Sequence, residues 1–317
     1  MISLFQYYRI AAAFLIVMIH QQFWKPCGFV NGLEGCAVPL FACMAGYLYK
    51  GGVAEKVPRV IVPYAIWALI YFLANNVVLD VIIKHSTFEF PGLKSWLLGG
   101  TACHLWFLPC LFIAFAMKSL MFEVLGLMFK KSSISYNLKH QASNIVLLLI
   151  AVATQFFPGE TSATLLGYFR IYFGRLLLFF ALGGLIRVLT SSLKLQTSNL
   201  IRITVQILGG GAIMLGLANL AFHFIPGLVF QPLLLVAGLM LWAVSFGEFK
   251  LPKFVGDLAN ATMGIYLVHI LFTSGANVVL TRLGHATLPT FAALPLMIVL
   301  FVVCYIVVRF LPKGMKG

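Results

Sequence analysis

Two ionisable residues, Arg9 and His20, lie eleven positions apart inside the first long apolar segment of the chain. Ionisable side chains at membrane depth are costly and often functional. At about 3.6 residues per turn, eleven residues make almost three whole turns, so both side chains share one helix face, roughly 16 Å apart. This face predicts an anion anchor in Arg9, which stays protonated, and a proton acceptor in His20. The structural alternative is an arginine that snorkels to the interface and a histidine hydrogen-bonded within a bundle.

The composition indicates a membrane protein. Of the 317 residues, 62% are hydrophobic and 9% are charged, and the mean hydropathy is +1.01. A soluble domain would carry about 25% charged residues. The net charge of +14 is spread over the loops, which favours contact with anionic membrane lipids and not with nucleic acid. We therefore expect an all-α, polytopic transmembrane helical bundle that forms one integral-membrane domain over residues 1–317.

Ten apolar stretches, separated by charged or Gly/Pro-rich breaks, predict about ten transmembrane helices. We expect the first to be a retained helix, because it is long and lacks a small-residue cleavage site at its end. The predicted spans lie near 4–24, 33–49, 58–83, 104–129, 144–158, 171–189, 203–224, 228–247, 260–281 and 288–311.

Basic residues are concentrated in alternate connections, with fourteen Lys/Arg positions on one side and six on the other. The positive-inside rule then places both termini in the cytoplasm, which requires an even number of spans in a multi-pass protein of the cytoplasmic (inner) membrane. On this topology Arg9 lies towards the cytoplasmic end of the first helix and His20 towards the outer end.

Further polar residues stand at the ends of the predicted spans. Lys56 and Arg59, one turn apart, could clamp phosphates, although most basic residues here simply obey the inside rule. On the outer side, His104 and Trp106 open the fourth span, and Arg170 and Arg175 stand at the entry of the sixth. These four residues could line a substrate site or act as interfacial anchors. His269 lies near the middle of predicted span nine and could have either a structural or a chemical role.

Several common site patterns are absent from the sequence. There is no phosphate-binding loop, no HExxH zinc pattern and no GxSxG nucleophile turn, and the six cysteines define no metal site, so we expect no metal. Glu34 and Asp257 are loop acids with no partner that the sequence identifies. No span has a clear acidic residue at its centre, which argues against a proton- or sodium-coupled transporter.

Together these motifs resemble acyltransferase family 3, whose members modify cell-surface carbohydrates and related molecules. The likeness rests on the R-x10-H pattern of Arg9 and His20, the glycine- and phenylalanine-containing second span at 38–47, and a K-x-x-R form of the family's R-x-x-R. It continues with the segments HLWFL at 104–108, GRLLLFFALGGL at 174–185 and YLVH at 266–269, which follow in the family's usual order.

The chain also departs from the family pattern. Ala45 replaces the serine that commonly stands in the second span, and no acidic partner of His20 carries over from the family residue by residue. The sequence shows no appended esterase-like domain, so transfer is expected to be completed within the membrane domain.

The resemblance implies an O-acyltransferase that moves an acyl group, expected to be acetyl, from cytoplasmic acyl-CoA to a hydroxyl of an envelope carbohydrate or lipid-linked glycan. Acyl-CoA is then a co-substrate, and no cofactor is bound permanently. We expect Lys56 and Arg59 with Arg9 to hold CoA, and His20 to act as general base, with His104, Trp106, Arg170, Arg175 and His269 near the acceptor. A covalent acyl-histidine is the less favoured variant. The competing class is a transporter or flippase for an anionic or lipid-linked substrate.

Overall fold

The computed structural model describes residues 2–49, 53–55, 57–74, 104–128, 136–156, 165–193, 198–224, 231–285, 287–312 and 315. Helices account for most of these ranges, and no strand occurs among them. Long apolar stretches without polar interruption favour this outcome, since a helix satisfies its backbone hydrogen bonds internally when lipid cannot do so. The expected all-α class is therefore confirmed for the described part of the chain.

Twelve α-helices and one π-helical turn follow in chain order within the described ranges. The turn, Phe169–Gly174, joins the short α7 to α8. The α-helices are α1 Leu4–Ile19, α2 Gly28–Glu34, α3 Ala37–Leu48, α4 Val57–Phe72, α5 Phe107–Met128, α6 Tyr136–Thr154, α7 Leu165–Tyr168, α8 Arg175–Ser192, α9 Asn199–Phe222, α10 Leu233–Phe246, α11 Lys253–Arg282 and α12 Thr290–Phe310.

Six helical stretches of the described chain are long and apolar enough to cross a membrane. They are Gly28–Leu48, Phe107–Met128, Arg170–Ser192, Asn199–Phe222, Lys253–Arg282 and Thr290–Phe310. Four shorter apolar helices overlap the other predicted spans: Leu4–Ile19, Pro58–Phe72, Leu138–Thr154 and Leu233–Phe246. The structure thus shows a multi-pass helical membrane protein with six candidate spans, while the count of ten and the cytoplasmic termini stay predictions.

The first helix is shorter than the sequence predicted, because the chain turns immediately after His20, its C-terminal cap. The Gln21 side chain accepts a hydrogen bond from the Trp24 backbone N–H at 2.8 Å, and the Trp24 indole donates to Thr290 Oγ1 at 3.1 Å. These bonds fasten the turn onto the start of α12. His20 is therefore held at a fixed helix end and not in the middle of a longer span.

Helix α3 packs against α8 at van der Waals distance through two glycines. A Cβ at Gly46 would overlap the Phe180 backbone carbonyl, and a Cβ at Gly183 would overlap the Cys43 carbonyl. Such close backbone approach between apolar helices is typical of membrane proteins, where packing contacts replace the hydrophobic effect as the force between helices. The α3–α8 pair forms a rigid wall beside α1, whose packed face carries Ala12, Ala13, Ile16 and Val17.

Candidate functional site: two adjoining cavities

The larger of two cavities, which we call the histidine cavity, has a volume of about 420 Å³. Its walls come from the end of α1, from α2, from the start of α5, from the π-turn with α8, and from α11. The side chains that give it polar character are His20, Asn31, Glu34, His104, Trp106 and Arg175. Five sequence-distant segments therefore bring hydrogen-bonding groups to one space.

Three histidines meet at the inner wall of this cavity. The ring centroid of His20 lies 5.1 Å from that of His269 and 6.1 Å from that of His104, and the His104 and His269 centroids are 5.1 Å apart. His104 and His269 are completely buried, whereas His20 is half-buried. His20 and His104 thus both line the cavity, and His269 stands behind them. Among the described residues, no grouping of His, Cys, Asp or Glu has the arrangement of a metal site.

Backbone carbonyls orient the two buried imidazoles. His269 Nδ1 donates to the Tyr266 carbonyl at 2.7 Å, and His104 Nε2 donates to the Leu267 carbonyl at 3.4 Å. Because a carbonyl only accepts, these nitrogens carry the protons and leave His269 Nε2 and His104 Nδ1 as acceptors. Those two acceptor nitrogens are buried and have no hydrogen-bond partner among the described residues.

Two tyrosines fix this backbone in turn. The Tyr71 hydroxyl of α4 donates to the Leu267 carbonyl at 2.7 Å, and the Tyr266 hydroxyl donates to the His104 carbonyl. Helices α4 and α11 and the segment before α5 are therefore tied together around the histidines. Such supporting bonds hold catalytic side chains to the precision that chemistry requires.

Glu34 and Arg175 bring opposite charges to the histidine cavity. Arg175 Nη2 donates to the Gly35 carbonyl at 2.7 Å, which leaves its buried Nε without a partner among the described residues. Glu34 is only 5% exposed, and its Oε1 likewise has no partner there. Buried polar atoms are normally hydrogen-bonded, so unsatisfied ones that line a cavity indicate a polar occupant.

An aromatic wall completes the histidine cavity. The rings of Trp106 and Tyr172 lie with centroids 4.5 Å apart and planes inclined at 38°. The combination of aromatic faces, a carboxylate, a guanidinium and an amide can bind a ligand that has both apolar faces and hydroxyl groups.

The second cavity, which we call the arginine cavity, is smaller and mostly apolar, with a volume of about 160 Å³. Arg9 is its charged group, and Arg9 Nη1 makes a long hydrogen bond of 3.4 Å to Gln6 Oε1. The remaining lining is dominated by side chains of α3, α5 and α11, including Phe41, Met44, Ala45, Leu48, Phe107, Leu111 and Met263.

The two cavities adjoin each other. Ile16, Val38 and Tyr266 line both of them and form a shared wall. Arg9 lines the cavity on one side of this wall and His20 lines the cavity on the other.

The structure brings together most of the side chains singled out from the sequence. His20, His104, Trp106 and Arg175 line the histidine cavity, and His269 stands behind it. Arg170 is not among the lining residues; its carbonyl accepts from Gln155 Nε2 at 3.3 Å.

Of the predicted donor-side pair, Lys56 and Arg59, the structure describes Arg59 and does not bring it to either cavity. Arg59 is exposed near the start of α4 and lines neither cavity, and Lys56 lies outside the described residues. The sequence analysis assigns Glu34 to a loop and does not predict it as a site residue. The only available signal is a single acid at the start of the second predicted span, 33–49.

The fold and the site define a class of protein. It is a helical membrane bundle with a polar cavity of about 420 Å³ at the end of its first helix. The sequence profile of acyltransferase family 3, described as an acyltransferase domain, matches residues 5–309, and the chain belongs to this family. It is therefore a membrane acyltransferase. No curated protein and no solved structure matches the chain.

Proposed function

We propose that this acyltransferase moves an acyl group, acetyl in the simplest case, from cytoplasmic acyl-CoA to a hydroxyl of an envelope carbohydrate or lipid-linked glycan. The observation that carries the proposal is the pair of adjoining cavities, with Arg9 in one, His20 in the other and a shared wall between them. Two substrates that arrive from different directions can meet at such a wall.

The arginine cavity suits the donor. This small, mostly apolar cavity could hold the acyl end of a pantetheine arm, and Arg9 can hold an anion or polarise a carbonyl. Lys56 and Arg59, which the family resemblance assigns to CoA, would act at the cytoplasmic mouth through their charge on the phosphates.

The histidine cavity suits the acceptor. Glu34 and Asn31 can hydrogen-bond to sugar hydroxyls, Trp106 and Tyr172 offer an apolar surface for a ring, and Arg175 supplies further donors. These groups would place one hydroxyl beside His20.

His20 acts as general base in the proposed reaction. It removes the proton of the acceptor hydroxyl while that oxygen bonds to the thioester carbonyl carbon. The carbon–sulfur bond then breaks, the proton returns from the imidazolium to the departing thiolate, and the products are an ester and CoA. A general base of this kind contributes about 10²–10⁴ to the rate.

His104 and His269 support His20 in this scheme. Their rings pack beside it, with centroids 6.1 Å and 5.1 Å from that of His20, and their acceptor nitrogens have no partner among the described residues. The Tyr71 and Tyr266 hydrogen bonds keep that arrangement in place during turnover.

The proposal is tested on the purified full-length protein reconstituted in lipid nanodiscs. Acetyl-CoA labelled in the acetyl group is supplied with glycan fractions from the envelope, and both free CoA and labelled glycan are measured. Equal amounts of CoA and acetylated glycan support the transfer. Transport of glycan or lipid across proteoliposomes without release of CoA would overturn it in favour of a transporter.

Sidedness is tested with cysteines at exposed positions near the two ends of α1. Cys27 is exposed on the histidine-cavity side, and the Gly247–Lys250 segment pairs with Ser3 at the other end. With the other cysteines replaced, Cys27 should react with a membrane-impermeant thiol reagent in intact cells, and Lys250→Cys in its place should not. The reverse pattern would remove the trans-bilayer route from the proposal.

A further inference from the structure

A second group of polar side chains lies inside the bundle, outside the lining of both cavities, between α3, α5, α6 and α8. Lys118 of α5 is only 2% exposed, and its Nζ lies 5.2 Å from the ring centroid of Tyr49 and 5.4 Å from that of Phe180. Arg187 of α8 is half-buried, and its Nη1 donates to the Tyr49 backbone carbonyl at 2.6 Å. Two cations therefore converge on one residue, Tyr49.

Neither cation has an acidic partner in the part of the chain that the structure describes. No carboxylate of the described residues forms a salt bridge with Lys118 or Arg187, and Glu123, the nearest acid along α5, is exposed. Aromatic faces attract a cation but do not neutralise it. Like charges repel each other, and the buried Lys118 also lacks hydration, so this pair is costly unless an anion joins it.

Asn144 of α6 gives a second and independent indication. It is only 1% exposed, and neither its Oδ1 nor its Nδ2 has a hydrogen-bond partner among the described residues. Its carboxamide packs directly over Gly184, one turn before Arg187 on α8, in space that any Cβ would fill. An amide with both ends unsatisfied beside two unpaired cations indicates a missing ligand that accepts hydrogen bonds.

The group adjoins the arginine cavity. Leu48 lines that cavity and precedes Tyr49 in the chain, and Leu111 lines it two turns before Lys118 on α5. An anion held by Lys118 and Arg187 would therefore lie beside the space that we assign to the donor, on the side towards the predicted cytoplasmic connections.

We propose that Lys118 and Arg187, with Asn144, form a phosphate-binding site. Phosphate chemistry fits because a point charge and a guanidinium together match its several acceptor oxygens. The phosphate belongs either to the nucleotide end of CoA or to the headgroup of an anionic phospholipid. The site is defined by binding alone, so it stands or falls independently of the proposed transfer reaction.

The test compares Lys118→Met and Arg187→Gln with the wild-type protein in neutral phosphatidylcholine nanodiscs. Methionine keeps the length of the lysine stem without its charge, and glutamine can still donate to the Tyr49 carbonyl. CoA affinity is measured by calorimetry, and retention of phosphatidylglycerol is measured by native mass spectrometry after mixing with vesicles that contain it. The control is Lys250→Met, which removes an exposed lysine.

A loss of CoA affinity of about tenfold or more in both site variants, with phosphatidylglycerol retained, supports the site and identifies the nucleotide as its phosphate. A loss of phosphatidylglycerol with CoA affinity intact supports the site and identifies the lipid. Wild-type binding of both probes by Arg187→Gln and by any folded Lys118 variant overturns the proposal, as does an equal loss in Lys250→Met. Thermal unfolding of each variant shows whether it is folded, and Arg187→Gln decides alone if Lys118→Met is not.

Discussion

The histidine cavity and the arginine cavity differ in size, polarity and support. The first is about 420 Å³ and is lined by a carboxylate, an amide, a guanidinium and imidazoles, whereas the second is about 160 Å³ and mostly apolar. Hydrogen-bonded tyrosines hold the histidines in place, while Arg9 has one long bond to a neighbouring side chain. The proposed function assigns recognition of the polar acceptor and proton transfer to the first cavity, and the acyl end of the donor to the second.

The largest effect that this contrast predicts is the loss of transfer in His20→Ala. Removal of the imidazole that is the most exposed of the three should lower the rate of acyl transfer by about 10²–10⁴, with expression and unfolding temperature unchanged. His285→Ala, which removes an exposed histidine, is the matched control and should transfer normally. Near-normal transfer by His20→Ala would take His20 out of the chemistry and would leave the cavity as a binding site only.

Arg9→Ala should raise the KM for the donor, acetyl-CoA, and leave the KM for the acceptor unchanged. Loss of a charged group from the arginine cavity is worth about 1.5–3 kcal/mol of interaction, which corresponds to a rise in KM for acetyl-CoA of roughly ten- to a hundredfold. Arg9→Lys should recover part of the lost affinity for acetyl-CoA if charge alone matters. Steady-state kinetics with each substrate varied in turn measures the effect. A change confined to the KM of the acceptor would contradict the division between the cavities.

Much of this organisation can be predicted from the sequence because it depends on local rules. Helical class follows from apolar stretches, and the shared face of Arg9 and His20 follows from helix periodicity. His104 and Trp106 could be expected near His20, since they open a span on the same predicted side. These inferences need only the position of a residue along its own helix.

The remainder depends on how helices are rotated and packed against each other. Glu34 sits at the end of the short helix α2, and only the turn at Gly35 and Cys36 that leads into α3 brings its carboxylate against the histidine cavity. Arg170 and Arg175 looked equivalent in sequence, yet the π-turn between them places only Arg175 in the cavity lining. The pair of Lys118 and Arg187 is formed by helices far apart in sequence, which no periodicity relates.

Glu34→Gln should weaken binding of the acceptor, with a smaller effect than the two substitutions above. The amide keeps the shape of the side chain and one acceptor oxygen but loses the charge that strengthens hydrogen bonds to sugar hydroxyls, so the KM for the acceptor should rise about tenfold. CoA affinity should be unchanged, because Glu34 does not line the arginine cavity. Equal losses for donor and acceptor would show that Glu34 supports the fold of α2 and not the acceptor.

The smallest effect is expected from Ala45→Ser, which restores the residue common in the family's second span. Ala45 lines the arginine cavity among apolar side chains and does not line the histidine cavity, where the proton transfer is proposed. A hydroxyl at this position therefore has no proton to move, and it adds a single atom to the wall. We expect the rate and the KM for acetyl-CoA to stay within about threefold of the wild-type values, as for a substitution that makes no buried unsatisfied charge or cavity. Ala45→Leu is the comparison. The larger leucine side chain fills part of the arginine cavity, so it should raise the KM for acetyl-CoA and leave the KM for the acceptor unchanged. A large gain in rate for Ala45→Ser would mean that chemistry reaches into the arginine cavity, and the separation of roles between the two cavities would have to be given up.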